Sequence, residues 1–241
     1  MLPLSHGNYT AKLAETPAEH ADVRALRHVS FRAARGLSAD DSDGFDAICQ
    51  HLLVSDASDR PVCCARLLIL TSGAQIEQSY SAQFYDLTRL AGFPGKMMEL
   101  GRFCLRPDIH DPHVLRLVWA ALTRLVDTHG IGMLFGCSSF DGADPTPHRA
   151  ALAYLAAHHL APPLWAPAAK ASEVIDVRQP VEPDVRAIPT LLRTYLGMGG
   201  WVSDHAVIDR ELNTLHVLTG LEIASVPLAR ARALRALAGQ E

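Results

Sequence analysis

One acid and one base stand in an otherwise apolar stretch, Lys96-Met-Met-Glu99-Leu-Gly-Arg102-Phe-Cys-Leu-Arg-Pro107. A run of this kind, closed by a proline, predicts a buried strand. Ionisable side chains in such a strand are costly unless they pair or take part in chemistry. Glu99 has the type of a general base, and Arg102 that of an anion binder. Side chains alternate along a strand, so these two positions should face opposite ways. A bulge near Leu100-Gly101 would bring them to one face. A structural ion pair would account for the same two residues.

Three further groups carry charge where it could act. Arg27 falls in the middle of the apolar face of a predicted helix, between Val23, Phe31 and Ala34. A guanidinium aimed inward needs an anion, either a structural carboxylate or a substrate carboxylate or phosphate. Asp40, Asp41, Asp43 and Asp46 crowd the next loop. That loop is either solvated or holds a cation, and an organic ammonium suits it better than a metal because the EF-hand pattern is missing. Arg66 is a base inside another apolar strand. The histidine pairs 158–159 and 110/113 lack the spacing of a metal site, so no metal is expected.

The elements that must position these residues follow from local signals. A first strand is predicted over Asn8–Ala14. Thr16, Pro17 and Glu19 form a helix start with a capping box, and the helix should run to about Arg35, before Gly36. Two apolar runs around the turn 56–60 read as an antiparallel hairpin. Residues 79–90 are ambiguous between helix and loop. Asp111-Pro112 opens a second helix that Gly130 ends, and Ile131–Cys137 is a strand. Strand, helix, strand is a βαβ unit, which makes the Glu99 strand and Ile131–Cys137 parallel neighbours. Residues 138–147 are expected to be a loop and 146–159 a helix carrying Tyr154. Strands over 171–177 and 214–223, a short helix over 189–198 and a basic amphipathic helix over 226–238 complete the chain.

Composition narrows the function classes. The chain has 241 residues, 49% hydrophobic and 20% charged, with a net charge of −4. A real core can form, and the interspersed charges argue against nucleic acid as a partner. No apolar run approaches the ~20 residues of a membrane span. The first residues lack the basic start and apolar core of a signal peptide. Five scattered cysteines with no Cys-x-x-Cys suit reduced thiols in a bacterial cytosol. Arg230, Arg232 and Arg235 on the last helix leave peripheral contact with a membrane surface open.

The order of elements resembles the GNAT acyltransferase fold. Glu99-Leu-Gly-Arg102-Phe-Cys, Arg27 with Phe31, the Asp43/Asp46 pair and Arg66 resemble the signature of acyl-homoserine-lactone synthases. Phe45-Asp46-x-x-Cys49-x-His51, Phe135-Gly-Cys-Ser-Ser-Phe, Leu191-Leu-Arg-Thr-Tyr-Leu-x-Met-Gly-Gly and Asp209-x-x-x-Asn213-Thr-x-His-Val are more similar to the ornithine N-acyltransferases that begin ornithine-lipid synthesis. The resemblance spans 8 to 223. It implies one GNAT-like α/β domain over 1–241, with a helical extension from about 224. Its sheet would be mixed and mostly antiparallel, with one splayed parallel pair, flanked by helices.

The same resemblance implies transfer of a (3-hydroxy)acyl chain to the α-amine of ornithine. Another amino acid as acceptor, or a non-catalytic acyl-carrier or lipid-binding module, is the alternative. Glu99 would be the base, Arg27 or Arg102 would hold the substrate carboxylate, and Asp41, Asp43 or Asp46 the distal ammonium. Phe31 and Arg66 would complete the acceptor site. Cys104, Leu105, Arg106, Asp111, Ser138 and Ser139 are expected to face the acyl donor, and Tyr154 to protonate the leaving thiolate. The Arg106–Asp111 stretch is poor in the glycines that wrap a pyrophosphate. That favours acyl carrier protein over coenzyme A as donor, with no bound cofactor.

Overall fold

A computed structural model describes residues 3–33 and 41–239. In chain order it contains β1 (Leu4–His6), β2 (Tyr9–Leu13), α1 (Pro17–Phe31), β3 (Gln50–Ser55), β4 (Pro61–Leu70), β5 (Tyr85–Asp86), β6 (Lys96–Leu105), α2 (Pro112–His129), β7 (Ile131–Asp141), α3 (Arg149–His158), β8 (Ala168–Ala169), β9 (Val174–Asp176), α4 (Thr190–Leu196), β10 (Trp201–Asp209), β11 (Thr214–Glu222) and α5 (Leu228–Leu237). The architecture is mixed α/β, a mostly antiparallel sheet with one parallel pair, flanked by helices, as expected. The chain divides into two compact units, and β6 contributes its first residues to one and its last to the other.

The first unit draws on Met1–Ile69, Leu100–Ile131 and Leu228–Glu241, as far as these are described. Its strands run in the order β1, β2, β3, β4, β6. The hairpin of β3 and β4 pairs His51 with Arg66 and Leu53 with Cys64. The start of α1 is as read from the sequence: the Thr16 hydroxyl accepts from Glu19 N, and Glu19 accepts from Thr16 N at 2.9 Å. Its buried residues are Val23, Leu26 and Arg27. The Gly36 stop and Asp40 lie outside the described residues. Asp111 caps α2 by accepting from His113 N, and Gly130, at φ 65°, ends it in a left-handed turn that glycine adopts without strain. Helix α5 packs on α2, where Arg124 donates to the Ala238 carbonyl and Arg235 pairs with Asp127.

The second unit comprises Leu70–Glu99 and Gly132–Pro227. It contains the start of β6, then β7, β11, β10 and β9 in that order. The parallel pair is β6 and β7, the strands on either side of α2 in the chain. Strand β7 corrects one expectation. It runs on through Ser138 and Ser139 to Asp141, because every residue from Met133 to Asp141 has a partner on β11. Trp201–Asp209, unread in the sequence, is a full strand whose register skips between Val202 and Ala206. In that bulge Ser203 Oγ takes over the lost ladder bond, accepting from Leu218 N at 3.0 Å. Gly220 opposes Trp201, and a β-carbon there would overlap the indole. The ambiguous 79–90 segment consists of single turns around the two-residue β5, which pairs with β8. Tyr85 of β5 is fully buried and donates its hydroxyl to the His216 carbonyl at 2.9 Å. Burial pushes the His216 imidazole down to about 4.

Candidate active site

Arg27, Arg66, Arg102 and the loop aspartates 41, 43 and 46 form one network in the first unit. Arg27, 1% exposed, donates from Nε to Asp41 at 2.8 Å and from Nη1 to Asp46 at 2.7 Å. Arg66 donates to Asp46 at 2.9 Å and also to Asp43, with its guanidinium over the Phe45 ring. Arg102 reaches Asp41 at 3.2 Å and Asp43 at 3.5 Å, and Arg32 reaches Asp41 at 3.3 Å. The acidic loop is therefore the anionic partner that an inward Arg27 required, and its carboxylates are shared among arginines. The loop is held in shape locally as well. Asp43 caps the turn Gly44–Ala47, accepting from Phe45 N at 3.0 Å while Asp46 accepts from Asp43 N.

The network is layered. Asp41 is 1% exposed with Arg27, whereas Asp43 and Asp46 keep 27% and 20% of their side chains exposed and Arg102 keeps 10%. Burial pushes the Asp41 carboxyl up, but the guanidiniums of Arg102, Arg27 and Arg32 outweigh it and hold the group below the usual carboxylate range. Asp46 is likewise raised by burial and lowered further by Arg27 and Arg66. Arg102 has φ 46°, a left-handed backbone inside a strand. The irregularity anticipated at Leu100-Gly101 thus falls on the arginine itself.

Glu99 lies in the second unit, 4% exposed. Its Oε2 accepts from Tyr80 N at 2.8 Å, and its Oε1 accepts from Ser81 N at 2.7 Å and from Ser81 Oγ at 2.6 Å. Ser81 Oγ is also 3.5 Å from Cys137 Sγ on β7. The turn that supplies these donors is held by Ser79, whose hydroxyl donates to the Ile76 carbonyl and accepts from Ala82 N. A carboxylate so clasped is held in one orientation. Ser81 was not visible in the sequence as a partner of Glu99, because the 79–90 segment has no periodicity to place it.

The other candidates lie apart from these contacts. Phe31 packs with Val23, Leu26, Leu53, Cys64 and Cys104. Cys104 Sγ is 3.3 Å from Cys64 Sγ, and both cysteines are free. Leu105 is half-buried at the end of β6. Arg106 donates its N–H to the Val62 carbonyl and pairs through its side chain with Asp108. Asp111 occupies the α2 cap and also accepts from the Tyr9 hydroxyl at 3.2 Å. Ser138 accepts from Thr219 Oγ1 at 2.8 Å, and Ser139 pairs with His216 in the ladder. Tyr154 packs on the cluster of Leu152, Leu155, Leu192 and Val202, its ring 4.6 Å from that of His158. Among the described residues no group of three or more metal-ligating side chains converges, and no helix is long and apolar enough to cross a membrane.

The chain as a whole is similar to proteins already characterised. The model of the acetyltransferase (GNAT) domain matches residues 26–120. An L-ornithine N(alpha)-acyltransferase of Rhodobacter capsulatus is 34% identical over 238 residues, covering 90% of this chain and 89% of the relative. Its counterpart in Rhizobium meliloti is 32% identical, covering 91% and 81%. Among solved structures, FeeM, an N-acyl amino acid synthase from uncultured soil microbes, superposes with a TM-score of 0.54 at 12% identity, over 95% of this chain and 98% of that one. At that identity the superposition speaks for the fold alone. The identity to the curated enzymes, held along nearly the whole length, makes this chain an N-acyltransferase that belongs to the L-ornithine N(alpha)-acyltransferase family.

Proposed function

We propose that the protein transfers an acyl chain from the thioester of acyl carrier protein to the α-amine of ornithine. The single observation that carries the chemistry is Glu99: a buried carboxylate on the parallel strand pair, held by three donors. The amine arrives protonated, and attack on the thioester needs a base to take a proton from it. Of the backbone N–H groups near Cys104–Arg106, that of Arg106 is taken by the Val62 carbonyl, which leaves those of Cys104 and Leu105 as the candidates to stabilise the developing oxyanion. Arg102, partly exposed, binds the amino-acid carboxylate. Arg27 is the inner scaffold that fixes the acidic loop, and Phe31 and Arg66 back it. Asp43 and Asp46, the half-buried layer, receive the distal ammonium.

The test is turnover on a panel of amino acids with one acyl chain on each carrier. Ornithine with acyl carrier protein should give the highest kcat/KM. Equal or better use of the coenzyme A thioester would overturn the donor assignment, and equal use of glycine or glutamine the acceptor assignment.

Recognition of the side chain has its own signature. Asp43→Asn and Asp46→Asn should still fold, Asp46→Asn with a lower melting point because Arg27 and Arg66 lose a partner, and both should lose preference for ornithine over norvaline, which lacks the distal amine. A charge pair in a dry site is worth about 2–5 kcal/mol when one partner is removed. Both aspartates keep some solvent contact, so a loss of about tenfold, ~1.4 kcal/mol, is the lower expectation. Unchanged discrimination in both variants would remove the loop from the acceptor site.

A further inference from the structure

We infer that Ser81 and Cys137 extend Glu99 into a proton relay that ends on the leaving sulfur. The inference rests on the reading of Glu99 as base in an acyl transfer from a thioester. In that reaction the N–C bond forms, the C–S bond breaks, and the ammonium loses two protons: one leaves to solvent and the other is needed by the departing thiolate. A base that keeps the proton cannot turn over. The second unit contains a path for it.

Ser81 is 0% exposed and touches both ends of the path, Glu99 Oε1 at 2.6 Å and Cys137 Sγ at 3.5 Å. In the resting carboxylate its proton must point to Oε1, since an ionised carboxylate only accepts. Once Glu99 has taken the proton of the amine, the carboxyl can donate and the serine reverses. Ser81 Oγ then accepts from Glu99 and passes its own proton to Cys137, as Cys137 gives its thiol proton to the leaving thiolate. Glu99, Ser81 and Cys137 each end with the proton count they began with, and the second proton that the ammonium loses on becoming an amide leaves to solvent.

Position favours Cys137 as the last member. It lies on β7, the parallel neighbour of the Glu99 strand, and is half-buried rather than sealed. The residue before it, Gly136, has φ 155°, a backbone that side chains disfavour, so the strand is shaped locally at this point. The ring of Tyr154, the donor that the sequence suggested, packs in the α3 cluster and against His158. Ser81 is thus a positioning and relay residue, and Cys137 the donor to the leaving group.

The experiment compares Cys137→Ala, Cys137→Ser and Ser81→Ala on the acyl carrier protein thioester and on a thiophenyl ester of the same acyl chain, with ornithine as acceptor. On the carrier thioester both alanine variants should lose at least about tenfold in kcat with KM little changed, the size expected of a lost proton donor. Cys137→Ser keeps a hydroxyl in the path and should recover most of the rate. On the thiophenyl ester, whose leaving thiolate needs no proton, the Cys137→Ala loss should shrink to under about threefold. Equal losses on both esters would mean a structural role, and no loss, or no recovery by serine, would likewise overturn the relay. Should the thiophenyl ester not turn over in the wild-type enzyme, recovery by serine alone decides. If the wild-type enzyme acylates no amino acid at all, the proposed function fails instead, before any variant is compared.

Discussion

Replacing Glu99 with glutamine will lower kcat by at least about a hundredfold while the protein still folds. Removing a positioned general base typically costs about 10²–10⁴ in rate. The structural cost is separate and smaller. The amide oxygen of glutamine can take the place of Oε1, accepting from Ser81 N and Ser81 Oγ. The amide nitrogen then faces Tyr80 N, donor against donor, where Oε2 accepted before. A buried donor left unmet costs about 1–3 kcal/mol. At about 2–4 °C per kcal/mol for a chain of this size, the melting point should fall by several degrees only. Steady-state rates and a melting curve on the same preparation separate the two effects. A variant that melts as expected yet keeps kcat within tenfold of wild type would remove Glu99 from the chemistry and leave it as a latch for the 79–83 turn.

The largest stability effect should come from Arg27→Met. Arg27 and Asp41 are each 1% exposed and joined at 2.8 Å. Taking away the guanidinium leaves a buried carboxylate short of its partner, which costs about 3–5 kcal/mol. The melting point should fall by roughly 10 °C. Arg235→Ala is the comparison. Its pair with Asp127 is also 2.8 Å long but 45% exposed on the arginine side. Such pairs contribute ~0–1 kcal/mol, so that variant should melt nearly as wild type does. Acidity probes the same network. The Asp41 and Asp46 carboxyls sit below their ordinary range in the folded protein. Their contribution is therefore complete above about pH 4, the unfolded value, and is lost as pH falls through the lower folded values. Arg27→Met should flatten that acid limb. A variant that melts within two degrees or so of wild type, with the same acid limb, would show that Asp41 is held by its other arginines.

The parts of this protein legible in its sequence are those where one local rule decides. Thr16-Pro-x-Glu19 specifies a helix start whatever surrounds it, and Asp111-Pro112 does the same for α2. Helix α2 between two apolar runs predicts the parallel pair. Residue type alone made Arg27, Arg102 and Glu99 stand out, since charge in an apolar context is rare, and the aspartates stood out by crowding one loop. What type could not show is who meets whom. Arg27, Arg66, Arg102 and the loop acids are far apart in the chain, and only the folded first unit shows that they neutralise one another. Ser81 and Tyr85 were hidden for another reason. They sit on single turns and a two-residue strand, too short for any periodicity to accumulate. Strand β10 escaped notice because its bulge at 203–205 breaks the alternation that marks a strand.

Arg102 at φ 46° places two demands on one residue that no single side chain satisfies together. The backbone there favours glycine or asparagine, and a larger side chain in that region carries roughly 1–3 kcal/mol of strain. The charged network and the proposed carboxylate contact favour arginine. Selection for thermal robustness alone would drift toward the small residue and away from activity, while selection for turnover retains the strained one. Thermostabilised descendants of this enzyme should therefore be screened at position 102 before any other, since a gain in melting temperature there would mark the loss of the property for which the enzyme is wanted.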